Sequence, residues 1–217
     1  MITCEKLHDI IDTYKHGVAR FTYENGNLVV SVKGKKLTPD YLAKGWENIL
    51  PKNGVYIMYE KNETAHGGER IVRIGINSRQ DDRLLKRIYS HYYGTMRRSV
   101  FRKHIGSCLL NKGIPAESLE KEITAYIETN ISFVLIGVND EERRNKLETM
   151  LISTVANCEE CNSSENWLGK YAKNPTISQG KLWNVIGLNG HNLPEEAQQW
   201  LLDGLVMGCD LSHFTAD

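Results

Sequence analysis

The stretch GVYIMYEKNETAHGGERIVRIGI, residues 54–76, decides the fold. It follows the turn former Pro51-Lys52-Asn53, and Val55-Tyr56-Ile57-Met58-Tyr59 is a β-branched and aromatic run that reads as a buried strand. Glu60 to Gly68 is polar and ends in glycines, which predicts a hairpin loop. Arg70-Ile71-Val72-Arg73-Ile74 then reads as the returning antiparallel strand. Downstream, a helix is expected from Asp81 or Asp82 to Tyr93, stopped by Gly94, and another from Ser118 to Glu128, with Leu119, Ile123, Tyr126 and Ile127 on one face. Ser132 to Val138 reads as a third strand. Asp140 then caps a helix to about Asn157, whose apolar stripe is Leu147, Met150, Leu151, Thr154 and Val155. The sum is an α+β fold, a small central antiparallel sheet of about three strands flanked by helices.

The first fifty residues read as a separate appendage of helix, hairpin and helix. Leu7, Ile10, Ile11 and Tyr14 recur at helical spacing. Asn25-Gly26 between Phe21-Thr22-Tyr23 and Leu28-Val29-Val30-Ser31-Val32 is a strong hairpin signal, and Thr38-Pro39-Asp40 opens a second helix. A C-terminal helix is expected from about Pro194 to Leu205. The division is therefore an appendage over 1–50, a core domain over 51–190 and a helical extension over 191–217.

The chain has 217 residues and carries 27 Lys plus Arg against 27 Asp plus Glu, so its net charge favours no partner. Locally the charge is uneven. From Arg83 to Lys112 there are eight basic residues (83, 86, 87, 97, 98, 102, 103 and 112) and no acid, whereas from Lys181 onward there are one base and five acids. Tyrosines 89, 92 and 93 and histidines 91 and 104 interleave with the basic run, a pattern that suits contact with a phosphate backbone. The alternative is a solvated helical face neutralised by acids from other segments.

No apolar stretch approaches the ~20 residues of a membrane-spanning helix. The opening MITCEKLHDIID carries charges where a signal peptide needs an apolar run, so a cytoplasmic protein without membrane association is expected. Five cysteines, at 4, 108, 158, 161 and 209, make no disulfide framework. Cys158-Glu159-Glu160-Cys161 has a metal-like spacing, but no second CxxC or HxxxH completes it, so it reads as two small residues near a helix end.

Three segments carry chemistry together: Gly54-Val55-Tyr56 on the first strand, Arg73-Ile74-Gly75 ending the second, and Lys86-Arg87-Ile88-Tyr89-Ser90-His91 on the next helix. With Glu148 in a helix after the third strand and Asn162 one loop further on, this order resembles the GIY-YIG nuclease superfamily over roughly residues 51–190. Ile71-Val72-Arg73-Ile74-Gly75, Ser99-Val100-Phe101-Arg102 with Ile105-Gly106, Trp167-Leu168-Gly169 and Leu182-Trp183-Asn184 resemble a bacterial branch near the GIY-YIG restriction endonucleases.

The resemblance implies a GIY-YIG-like fold and hydrolysis of DNA phosphodiesters with Mg²⁺ or Mn²⁺. Tyr56 matches the tyrosine that acts on the attacking water; a phenol of pKa ~10 needs help to act as a base near neutral pH. His91, four residues after Arg87 and on the same helical face, is placed to take the proton. Arg87 matches the arginine that stabilises charge on the phosphate. Glu148 matches the single acidic metal ligand, and Asn162 the late asparagine, with Asn157 and Asn166 as competitors. Arg73 stands where the family has a tyrosine; it is expected either to supply electrophilic stabilisation or to mark a site that has lost a catalytic group. DNA, expected as duplex, would be held by Arg83, Lys86, Arg97, Arg98, Arg102 and Lys103, and double-strand cleavage calls for a homodimer or two successive binding events. A catalytically silent DNA-binding module is the rival reading. Trp167 and Trp183 are expected to be architectural.

Overall fold

The computed structural model describes residues 1–13, 17–37, 46–77, 82–208 and 211. The expected helix at Thr38-Pro39-Asp40, together with Tyr14, Asp81 and Cys209, lies outside them. Three layers are present: an antiparallel sheet with helices on both faces. The strands are β1 (Arg20–Glu24), β2 (Asn27–Val32), β3 (Lys35–Lys36), β4 (Gly54–Ala65), β5 (Gly68–Ile76) and β6 (Ile131–Gly137), in the order β3-β2-β1-β6-β4-β5.

Six strands replace the expected three because the N-terminal hairpin joins the same sheet. Its turn is the anticipated Asn25-Gly26, with φ of 50° and 83°, a left-handed pair that suits a two-residue hairpin. β1 then lies against β6, with Phe21 opposite Phe133 and their rings stacked at 5.6 Å. The Thr22 hydroxyl donates to the Ile131 carbonyl, which extends the junction. The sheet therefore runs across the expected division at residue 50.

β4 and β5 are longer than expected. The polar segment after Glu60 remains strand, interrupted by bulges, and the turn contracts to His66-Gly67, both at positive φ. This segment can be strand because its acids have partners. The Arg70 guanidinium donates to Glu63, with Nη2 at 2.7 Å, and Glu60 accepts from Tyr126 and from the indole N–H groups of Trp167 and Trp183. Both tryptophans are buried and bonded in this way, so neither is free to stack on a base.

One face of the sheet packs α2 (Leu84–Tyr93), α3 (Val100–Asn111) and α4 (Leu119–Asn130) on Tyr56, Met58 and Phe133. The other face packs α1 (Cys4–Thr13), α5 (Glu141–Ala156) and, after the short α6 (Pro175–Ser178), α7 (Ala197–Gly204) on Val55, Ile57 and Ile136. Tyr56 and Ile57 thus point to opposite layers, as the two-residue period of a strand requires. α3 covers a stretch to which the sequence reading assigns no element. Its signals were local: Ser99 accepts from the Arg102 N–H as N-cap, and Phe101, Ile105 and Cys108 recur on the buried face. Among the described residues no helix is long and apolar enough to cross a membrane.

Candidate active site

The two motif glycines are required by close approach. β4 pairs with β5 so that Tyr56 lies opposite Gly75, and the phenol crosses the glycine: a Cβ on Gly75 would fall 2.3 Å from Tyr56 Oη. A Cβ on Gly54 would meet the Ile136 carbonyl oxygen at 2.1 Å. These positions place Tyr56 against α2, where its Oη lies 2.8 Å from His91 Nε2. His91 Nδ1 lies 2.8 Å from Ser99 Oγ. A relay of Tyr56, His91 and Ser99 therefore joins β4, α2 and the start of α3.

His91 is fully buried. Burial, reinforced by the positive charges of Arg73, Arg87 and Arg102, holds its pKa well below the ordinary imidazole value. The ring is neutral near pH 7, so one nitrogen donates and the other accepts.

Beside this relay is a cavity of about 290 Å³ lined by Arg73, Arg87, His104, Glu148, Trp183 and Asn184, among others. Arg87 reaches it from α2, one turn before His91. Arg73 reaches it from β5, with its guanidinium 5.1 Å from the Phe101 ring centroid and Nη1 3.4 Å from the Trp183 carbonyl, while its buried Nε has no hydrogen-bond partner among the described residues. Glu148 comes from α5. That helix is set by the Asp140 cap, which accepts from Arg143 N–H at 2.7 Å, and by buried Arg144, one turn before Glu148. Arg144 donates to the carbonyls of Asn77, Val138 and Asn139. Burial raises the Glu148 pKa, and Arg73 and Arg87 oppose that rise. Two of the three arginines whose charge lowers the His91 pKa, Arg73 and Arg87, also act on Glu148, which places relay and cavity in one electrostatic unit. Tyr56 and His91 themselves are buried and do not line the cavity.

Glu148 is a half-buried carboxylate on a cavity wall, and among the described residues no cation lies within ion-pair distance of it. One carboxylate, with water and phosphate oxygens filling the remaining positions, fits a Mg²⁺-like hard cation.

Two expected site residues are placed elsewhere. Asn162 is exposed just after the 3₁₀ turn Glu159–Cys161 and does not line the cavity. The asparagine at the cavity is Asn184, whose amide accepts from Ile74 N–H at 3.0 Å and donates to the Ile74 carbonyl at 2.8 Å, covering the free edge of β5. The signal for it was the string Leu182-Trp183-Asn184, which carried no assigned role. Arg102 is buried rather than available to DNA. Its guanidinium donates to the Tyr92 carbonyl, to Thr124 Oγ at 3.1 Å and to Glu120, with Nη2 at 2.7 Å, because the junction of α2, α3 and α4 needs donors for inward-facing carbonyls. Arg83, Lys86, Arg97, Arg98 and Lys103 are exposed.

Sequence reasoning named His104 and Ser99 but gave neither a role in the site. His104, on α3, lines the cavity, and its buried Nε2 has no hydrogen-bond partner among the described residues. Burial, then Arg73 and Lys103, lowers its pKa.

No curated protein and no solved structure matches the chain. A family model for the GIY-YIG domain matches residues 27–199, beginning within the N-terminal hairpin and running through the cavity to α7. The chain belongs to the GIY-YIG family, whose members are nucleases that act on DNA and generally depend on a divalent metal.

Proposed function

We propose that this protein is an endonuclease that hydrolyses phosphodiesters of duplex DNA with Mg²⁺ or Mn²⁺. The observation that carries this reading is the 2.8 Å hydrogen bond between Tyr56 and a neutral His91, beside a cavity that gathers Arg73, Arg87 and Glu148. With the ring proton on Nδ1, His91 donates to Ser99 Oγ and accepts the phenol proton at Nε2. Tyr56 can then take a proton from an attacking water as it passes its own to His91. Burial and, less strongly, the nearby guanidiniums weaken His91 as a base; a phosphodiester between Arg73 and Arg87 would offset the part that comes from their charge when DNA is bound. Arg87 binds the phosphate as a planar donor fork, and Arg73 adds a second donor where the family pattern has a tyrosine. Glu148 would hold the metal together with water and phosphate oxygens, and the charge supplied there stabilises the departing oxygen.

A restriction-type role in the cytoplasm belongs to the same proposal and rests on the motif strings that resemble that branch. Lys86, Arg97, Arg98 and Lys103 would contact the backbone, and a homodimer would cut both strands together. Supercoiled plasmid should become nicked and then linear with Mg²⁺ or Mn²⁺, and both Glu148→Ala and Tyr56→Phe should abolish this. Cleavage that survives both substitutions in clean preparations would sink the assignment. Tyr56 is only 1% exposed, which favours one rival, a DNA-binding module without catalysis. It predicts salt-sensitive binding, no cleavage with any metal, and weaker binding when Arg97 and Arg98 are both changed to Ala.

A further inference from the structure

We propose a second metal centre, a structural zinc site formed by Cys4, His66, Cys158 and Cys161. Three segments distant in sequence supply these residues. Cys4 begins α1, His66 occupies a left-handed position in the β4–β5 turn, and Cys158 and Cys161 bracket the short 3₁₀ turn after α5. One ligand atom from each lies within 4.8 Å of all the others. Cys4 Sγ is 3.4 Å from Cys161 Sγ, and His66 Nε2 is 3.2 Å from Cys158 Sγ.

These separations fit one tetrahedral ion. Zn–S bonds of about 2.3 Å put two thiolate sulfurs about 3.8 Å apart across the metal. A two-iron cluster would spread its ligands further than this group is spread. Three soft thiolates and an imidazole select zinc over the hard cations that suit Glu148. Four protein ligands also leave no open coordination position, which marks the centre as structural rather than catalytic. The CxxC pair lacked partners in the sequence because its other two ligands come from residues 4 and 66.

The surroundings match those of a metal site. Cys4 and Cys161 are buried. His8 Nε2 lies 4.0 Å from Cys161 Sγ, and the His8 ring packs 4.8 Å from that of His66. Glu160 Oε2 is 3.2 Å from His66 Nδ1, close enough to orient the ring from the far side, although not aligned as a hydrogen bond. Loading is proton-coupled: Zn²⁺ binds the cysteines as thiolates, so the thiol protons they still carry leave to solvent, and His66 contributes a ring-nitrogen lone pair.

The centre lies far from the relay: Tyr56 pairs with Gly75 and Ala65, next to His66, with Gly68, so about 23 Å of β5 separates them at ~3.3 Å per residue. Its role is to tie α1, the β4–β5 turn and the end of α5 together. Because α5 carries Glu148, the zinc also fixes the register of the helix that serves the cavity.

The full chain, expressed with zinc in the medium and dialysed without chelator, should retain one zinc per chain by elemental analysis. Cobalt exchanged into it should show the strong visible bands of tetrahedral coordination and near-ultraviolet thiolate charge transfer. Mercurial titration of the folded wild-type protein should release the zinc as thiols react, a readout that needs no variant to fold. Cys158→Ser and Cys161→Ser should lose the metal, whereas Cys108→Ser and Glu148→Ala should keep it, which separates this centre from the cleavage reaction. Folded wild-type protein that holds well under one zinc per chain after loading, or zinc that persists in the Cys158→Ser and Cys161→Ser double variant, would overturn the proposal.

Discussion

Replacing Ser99 by Ala should damage stability and cleavage through one missing oxygen. Ser99 Oγ accepts the Arg102 N–H at 3.2 Å as the N-cap of α3 and is the only described partner of His91 Nδ1, at 2.8 Å. Loss of a cap costs about 1 kcal/mol. Leaving a buried imidazole nitrogen without a partner costs about 1–3 kcal/mol more. The sum of roughly 2–4 kcal/mol should lower the melting temperature by about 4–16 °C in a chain of this length. Without the oxygen, nothing holds the His91 proton on Nδ1; moved to Nε2, it donates to Tyr56 and cannot accept the phenol proton. Cleavage should therefore fall about 100-fold even at temperatures where the variant remains folded. Ser99→Thr, which keeps the hydroxyl, should recover both properties. The assays are thermal unfolding followed by circular dichroism and single-turnover cleavage of a plasmid. A Ser99→Ala protein within 0.5 kcal/mol of wild type, or one that cleaves at the wild-type rate, would refute the relay; roughly that margin is what an ordinary surface substitution shows.

Further expectations concern charge, packing and pH. Arg102→Met should destabilise the fold by about 1–3 kcal/mol, because it removes the charged donor to the buried Tyr92 carbonyl, while solvent-exposed Glu120 loses little. The salt dependence of DNA binding should stay unchanged in that variant, whereas Arg97→Ala with Arg98→Ala should flatten it; equal slopes in the two proteins would contradict this division of labour. Gly75→Ala forces a methyl into the Tyr56 phenol, which is held by His91, and should cost about 1–3 kcal/mol of stability as well as cleavage, read from urea midpoints and plasmid nicking. His91 and His104 have lowered pKa values in the folded protein, so below about pH 6.5 the unfolded chain binds protons that the native state does not. Stability should fall as pH drops through that region, by roughly 1 kcal/mol from fully buried His91 over the first unit below 6.5 and by less from half-buried His104, and His91→Asn should reduce the slope of the urea midpoint against pH.

The sequence by itself determined the features that depend on near neighbours. Asn25-Gly26 dictates a two-residue hairpin because both positions tolerate positive φ, and Asp140 starts α5 because its carboxylate reaches the Arg143 N–H three residues on. Arg87 and His91 were legible as neighbours on one side of a helix because four residues bring side chains to the same side. Residues separated by long stretches of chain carry no such spacing rule. Only the tertiary structure decided that β1 extends the sheet beside β6, that Asn184 rather than Asn162 stands at the cavity, and that Arg102 turns inward while Arg97 and Arg98 remain outside. It also brings Cys4 and His66 to Cys158 and Cys161. In each case the deciding quantity is which buried donors and apolar faces must find partners once the layers close, and that depends on packing among distant segments rather than on any local pattern of residues.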